Sequence, residues 1–137
     1  MEYPSLVGIC RTGGGALLFT DSRLNRGMRI SGEKLLIFGD SIPLDQPTGI
    51  ACNSATGHIW VVETGTHKIV QFNKEGRVIR KIGGRGTGPG LFNFPTFIWI
   101  DSAGRIYVVD SMNYRVQILD SHGGFLGTFG ESGDATG

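Results

Sequence analysis

Ile106-Tyr107-Val108-Val109-Asp110-Ser111-Met112-Asn113-Tyr114-Arg115-Val116-Gln117-Ile118-Leu119-Asp120 decides the fold, because two imperfect copies stand earlier in the chain. The middle copy runs from Ile59 to Asn73, and the first from Leu17 to Arg26. In each copy an acid precedes a base by five residues: Asp21 and Arg26, Glu63 and Lys68, Asp110 and Arg115. The acids are 42 and 47 residues apart. That period matches a propeller blade and is too long for a leucine-rich or ankyrin unit.

Working outward, each unit reads as four short strands separated by turn chemistry. In the second unit the strands are Pro47 to Asn53, His58 to Glu63, His67 to Phe72 and Arg77 to Ile82. Between them lie Ser54-Ala55-Thr56-Gly57, Thr64-Gly65-Thr66 and Asn73-Lys74-Glu75-Gly76, whose small, polar and glycine residues suit tight turns. The third unit repeats the plan with Phe94 to Asp101, Arg105 to Asp110, Tyr114 to Leu119 and Phe125 to Phe129. The first unit is the most degenerate: Gly13-Gly14-Gly15 forms its first turn, and Arg29 to Lys34 shortens the third strand and the hairpin after it. Apolar residues nowhere recur at helical spacing, so essentially no helix is expected.

Pro47-Thr48-Gly49-Ile50-Ala51, the Ile106 to Asp120 stretch and the glycine-rich run Gly83 to Phe92 together resemble the NHL repeat. The match is closest in the second and third units; in the first, Asn25-Arg26 and Phe38-Gly39 remain. The resemblance implies a β-propeller of usually six blades, each a four-stranded antiparallel sheet whose first strand lines a central channel. It further implies a binding platform for proteins or RNA, although some related propellers are metal-dependent lyases or hydrolases.

The expected fold class is therefore all-β, a propeller segment with blades spanning 3–40, 45–84 and 93–130. Three blades cover about half a ring and leave two apolar faces bare, a condition soluble monomers rarely tolerate. Two solutions are open. Two copies can meet about a two-fold axis as a homodimer, or the chain is part of a longer propeller, since Gly130 to Gly137 lines up with the connector beginning at Gly83.

With 137 residues and 39% hydrophobic residues the chain suffices for one domain. The 13 basic and 12 acidic residues nearly cancel, which argues against bulk attraction to nucleic acid or anionic membrane. No apolar run is long enough to span a bilayer, and Met1-Glu2-Tyr3-Pro4 opens no signal peptide, so the chain as given reads as soluble. Cys10 and Cys52 fall in the first strands of neighbouring blades without metal-ligand spacing, and are expected as buried free thiols.

A feature present once per blade is explained more economically by blade geometry than by one site, so the three acid/base pairs are read as structural. The carboxylate is expected to accept hydrogen bonds within its turn and from the base. The run Gly83 to Gly90 lacks the ending of a phosphate-binding loop and leads into a strand, so it is expected as a flexible connector. His58, His67 and His122 fall at non-equivalent places, and neither a metal site nor a cofactor is expected. No nucleophile signature is present. The competing class, a metal-dependent lyase or hydrolase or a small-ligand binder, would use the channel of a completed ring, near the polar strand ends Asn53 and Asp101.

Lys74, Arg77, Arg80, Lys81 and Arg85 cluster on one blade's outer hairpin and exit. They read as a solvated edge, with RNA binding as the alternative. The loops after the second strands differ most between blades and should share one propeller face, where a rigid scaffold presents binding residues. Arg23, Asn25, His67, Met112, Asn113 and Tyr114 are the candidates for contact with a protein partner. The leading expectation is a non-enzymatic interaction scaffold.

Overall fold

The structure is a computed structural model that describes residues 3–38 and 43–130. Gly39, Met1, Glu2 and the run from Glu131 to Gly137, all used in the sequence reading, lie outside the described residues. Twelve strands form three four-stranded antiparallel sheets, each in sequential order. Blade one holds β1 (Leu6–Arg11), β2 (Leu17–Asp21), β3 (Arg26–Ser31) and β4 (Lys34–Phe38). Blade two holds β5 (Pro47–Cys52), β6 (Ile59–Glu63), β7 (Lys68–Phe72) and β8 (Val78–Gly83). Blade three holds β9 (Pro95–Ile100), β10 (Ile106–Asp110), β11 (Arg115–Leu119) and β12 (Phe125–Phe129). Two single 3-10 turns, Thr64–Thr66 and Ser111–Asn113, are the only helical elements among the described residues.

The hairpins follow from polar residues placed where a side chain can substitute for a backbone acceptor. Asn73 Oδ1 accepts the N–H groups of Glu75 and Arg77, at 3.0 and 2.9 Å. Asp120 Oδ1 does the same for His122 and Gly124, both at 2.8 Å. Blade one departs from the expectation for its third strand. β3 runs the full six residues and pairs Ser31 with Lys34, because Gly32 (φ +60°) lets a two-residue loop close without shortening the strand.

The inner strands β1, β5 and β9 lie side by side. Gly49 permits this approach, since a Cβ there would stand 2.5 Å from the Thr96 carbonyl oxygen of the next inner strand. Thr48 Oγ1 donates to the same oxygen at 2.8 Å. Two apolar clusters fill the spaces between blades. Leu18, Phe38, Ile50, Val61, Val70 and Phe72 pack between blades one and two, and Trp60, Val62, Ile69, Phe92, Ile106 and Val108 between two and three.

Two expectations are corrected here. Cys10 and Cys52 are not buried free thiols: they are half-buried and joined in a disulfide, with a Cα–Cα distance of 6.3 Å. A spacing of 42 residues hides their proximity, which arises because neighbouring inner strands run next to one another. The connector from Gly83 to Phe92 is not a flexible link. Gly86 N–H and Phe92 N–H donate to Phe92 O and Gly84 O at 2.9 and 2.8 Å, and the Phe92 ring is fully buried in the second cluster.

Candidate binding face and its scaffold

Each second strand ends in its acid, and all three acids are buried: Asp21 and Asp110 are 0% exposed and Glu63 1%. Burying a carboxylate is costly unless it is hydrogen-bonded, and the segment leading into the first strand of the same blade supplies one donor each time. Asp21 Oδ1 accepts Ser5 N–H at 3.0 Å, Glu63 Oε2 accepts Asp45 N–H at 2.9 Å, and Asp110 Oδ1 accepts Asn93 N–H at 2.7 Å. The acid thus ties the start of a blade to the loop after its second strand.

The bases behave unequally. Arg115 Nε donates to Asp110 Oδ2 at 2.8 Å. Its Nη2 reaches the carbonyls of Gly88 and Leu91, both at 3.0 Å. Asn113 and Gln117 also donate to Asp110, at 2.9 and 3.1 Å, and to the carbonyls of Gly86 and Leu91. This network clamps the connector onto blade three. Glu63 takes its cation from β8, with Lys81 Nζ at 3.6 Å, rather than from Lys68, and Thr66 Oγ1 donates to its other oxygen. Asp21 Oδ2 and Arg26 Nε are both buried without a hydrogen-bond partner among the described residues. Burial pushes the Asp21 carboxyl up, but the N–H groups of Leu24, Ser5 and Arg23 and the charge of Arg26 outweigh it and hold the group below its ordinary 3.8.

Four residues after each acid stands a left-handed residue: Asn25 (φ 56°), His67 (φ 59°) and Tyr114 (φ 54°). Two of them bridge blades. Asn25 Oδ1 accepts Gln46 N–H at 3.0 Å, and His67 Nδ1 accepts Phe94 N–H at 2.9 Å. Gln46 and Phe94 are themselves left-handed and each precedes the proline that opens the next blade. This interblade role was not read from the sequence, although the recurrence of a residue-proline pair behind each loop was a visible signal. Tyr114 holds the same place on blade three and is 65% exposed.

Of the six candidate contact residues, Asn25, His67 and Asn113 are therefore committed inside the fold. Arg23 and Met112 remain exposed and stand two residues after their acids, at the crests of equivalent loops, with Gly65 between them. Tyr114 belongs to the side of blade three that would meet a further blade. The polar strand ends Asn53 and Asp101 serve as turn caps. Asn53 Oδ1 accepts Ala55 N–H, while Asp101 holds Ala103 N–H, Arg105 and Tyr107 Oη. His58 Nδ1 meets Gln71 at 2.9 Å. Among the described residues no three His, Cys, Asp or Glu side chains converge as metal ligands. Arg80 donates to His122 O at 2.9 Å, and Arg85 stands 6.0 Å over the Phe94 ring, so part of the basic cluster has structural partners. No helix among the described residues is long and apolar enough to cross a membrane.

The family described as 6-bladed beta-propeller, DUF5128, matches residues 38–129. The chain belongs to this family. Its NHL-repeat character is shown by relatives as well. It is 33% identical over 72 residues to the human NHL repeat-containing protein 3, covering 50% of this chain and 21% of that protein. It is 38% identical over 45 residues to the human E3 ubiquitin-protein ligase TRIM32, covering 33% of this chain and 7% of that one. In fold the propeller chain is similar to a catalytically inactive virginiamycin B lyase from Staphylococcus aureus solved with quinupristin. There the TM-score is 0.78 at 20% identity, over 100% of this chain and 45% of the lyase. The chain thus spans less than half the length of each of these proteins.

Proposed function

We propose that this propeller chain is a non-enzymatic scaffold that holds a protein partner on the face formed by the loops after β2, β6 and β10. The observation that carries this reading is the contrast within those loops. Their bases are pinned by buried acids and interblade hydrogen bonds, while Arg23 and Met112 project exposed from the crests, their side chains without a hydrogen bond or ion pair among the described residues. A rigid base with exposed, chemically different crests suits recognition. A photo-reactive residue placed at position 23 or 112 should give cross-linked protein adducts in cells, and one at Ala55, exposed at the opposite end of the blades, should give fewer. Equal yields at both ends would overturn this assignment of the face.

The ring is completed, in this reading, by a second copy. Blade one leaves Val7, Ile9, Leu35 and Ile37 between 41% and 61% exposed, and blade three leaves Phe97, Trp99, Tyr114 and Phe129 between 59% and 65% exposed. An aliphatic face and an aromatic face at opposite ends of one chain are brought together twice by a two-fold axis. Light scattering on a dilution series should give twice 14.7 kDa; a monomer at every concentration would reject closure by a second copy.

A further inference from the structure

Between blades one and two, at the end opposite the crest loops, lies a cleft of about 660 Å3. One side chain there differs in size from its counterpart at the next junction. The position three residues before the acid on the second strand faces the following blade, and it is Leu18 in blade one and Trp60 in blade two. The Trp60 indole is 1% exposed and reaches under the β11–β12 hairpin, its tip 3.5 Å from where a Cβ on Gly123 would stand. Leu18 is too short to reach the equivalent β7–β8 hairpin, and the space remains open.

The lining has two chemical parts. Leu18, Leu36, Phe38 and Ile59 make an apolar wall, while Arg29, Lys34 and Lys74 contribute cations against the single acid Glu75. Among the described residues none of the three cations has a carboxylate within ion-pair distance. Arg29 is anchored across the cleft, its Nη1 donating to Lys74 O at 3.2 Å, which leaves guanidinium donors for a planar anion. Blade two has the neutral Gln71 at the position of Arg29, bonded to His58.

From this juxtaposition we infer that the cleft is a binding site for an organic carboxylate carried on an apolar body. The volume of about 660 Å3 lies within the range of small-molecule sites. The carboxylate lies against Arg29 with Lys34 and Lys74 nearby, and the apolar body fills the volume that Trp60 fills at the other junction.

Octanoate and octylammonium titrated calorimetrically into the purified chain test the site. Octanoate should bind at least tenfold more tightly than octylammonium. Leu18→Trp, which installs the blade-two residue, should weaken octanoate at least tenfold, and Lys34→Gln with Lys74→Gln should weaken it several-fold while leaving octylammonium unchanged. Binding to the bare end faces is indifferent to residue 18, so unchanged octanoate affinity in Leu18→Trp would overturn the inference. Should that variant fail to fold, a spin-labelled fatty acid on the unaltered chain decides. Broadening of the Glu75 and Gly76 amide signals without Gly123 supports the site, and broadening confined to the end faces removes it.

Discussion

The two blade junctions have the same geometry and are closed by different means. Between blades two and three, closure is by packing: Trp60, Ile82 and the plugged Phe92 fill the space, and the connector is held by Arg115, Asn113 and Gln117. Between blades one and two the second-strand position carries Leu18, a cleft remains, and the inner strands are joined covalently through Cys10 and Cys52. Apolar filling scales with the area removed from water. A covalent link instead acts mainly by restricting the unfolded chain, so it holds together a junction that packs less completely. A repeat fold tolerates such exchange because each interface contributes to stability nearly independently.

If this contrast is sound, the covalent link should matter most. Replacing Cys10 and Cys52 by serine, or reducing the disulfide, should lower unfolding free energy by about 2–4 kcal/mol in chemical denaturation. Protection from hydrogen exchange should be lost in blade one before blade three. Uniform loss across the blades would break the comparison. Next in size is Trp60→Leu, which gives the second junction the side chain of the first. It should cost roughly 2–3 kcal/mol in chemical denaturation and open space beside Gly123, visible as lost hydrogen-exchange protection in the β11–β12 hairpin; an unchanged unfolding free energy would break the comparison.

The smallest effect concerns Asp21. Its folded carboxyl titrates below the ordinary 3.8, so as pH falls the unfolded chain takes up its proton first. The stability it contributes is full above that ordinary value and is lost as pH falls through the lower folded one. Asp21→Asn should flatten the acid limb of the stability profile and cost roughly 1 kcal/mol at neutral pH. An acid limb identical to that of the unaltered chain would show that Asp21 does not set it.

How far the sequence could be read differs by element. The β5 to β12 strands were legible because their signals are local: alternating β-branched residues, Asn73 and Asp120 at turn positions, glycine at the ends of hairpins. The length of β3 was misjudged because a single glycine in a left-handed turn replaces the longer hairpin of the other blades. Among the candidate contacts, Arg23 and Met112 project as exposed crest residues, and His67 does not, since its ring nitrogen is engaged by the amide of Phe94. An imidazole in a loop carries no mark in the sequence of whether a backbone N–H will meet it.

The sequence by itself determined the repeat, the four-strand unit and the order of acid, loop and base, because each depends on interactions between residues close along the chain. Only the tertiary structure decided that Cys10 meets Cys52, that Glu63 pairs with Lys81 and not Lys68, and that Leu18 lines a cleft while Trp60 packs beneath the next hairpin. Those outcomes depend on distances of a few Å between strands that the chain brings together from tens of residues apart, and a periodic pattern fixes which side a residue faces without fixing what it touches there.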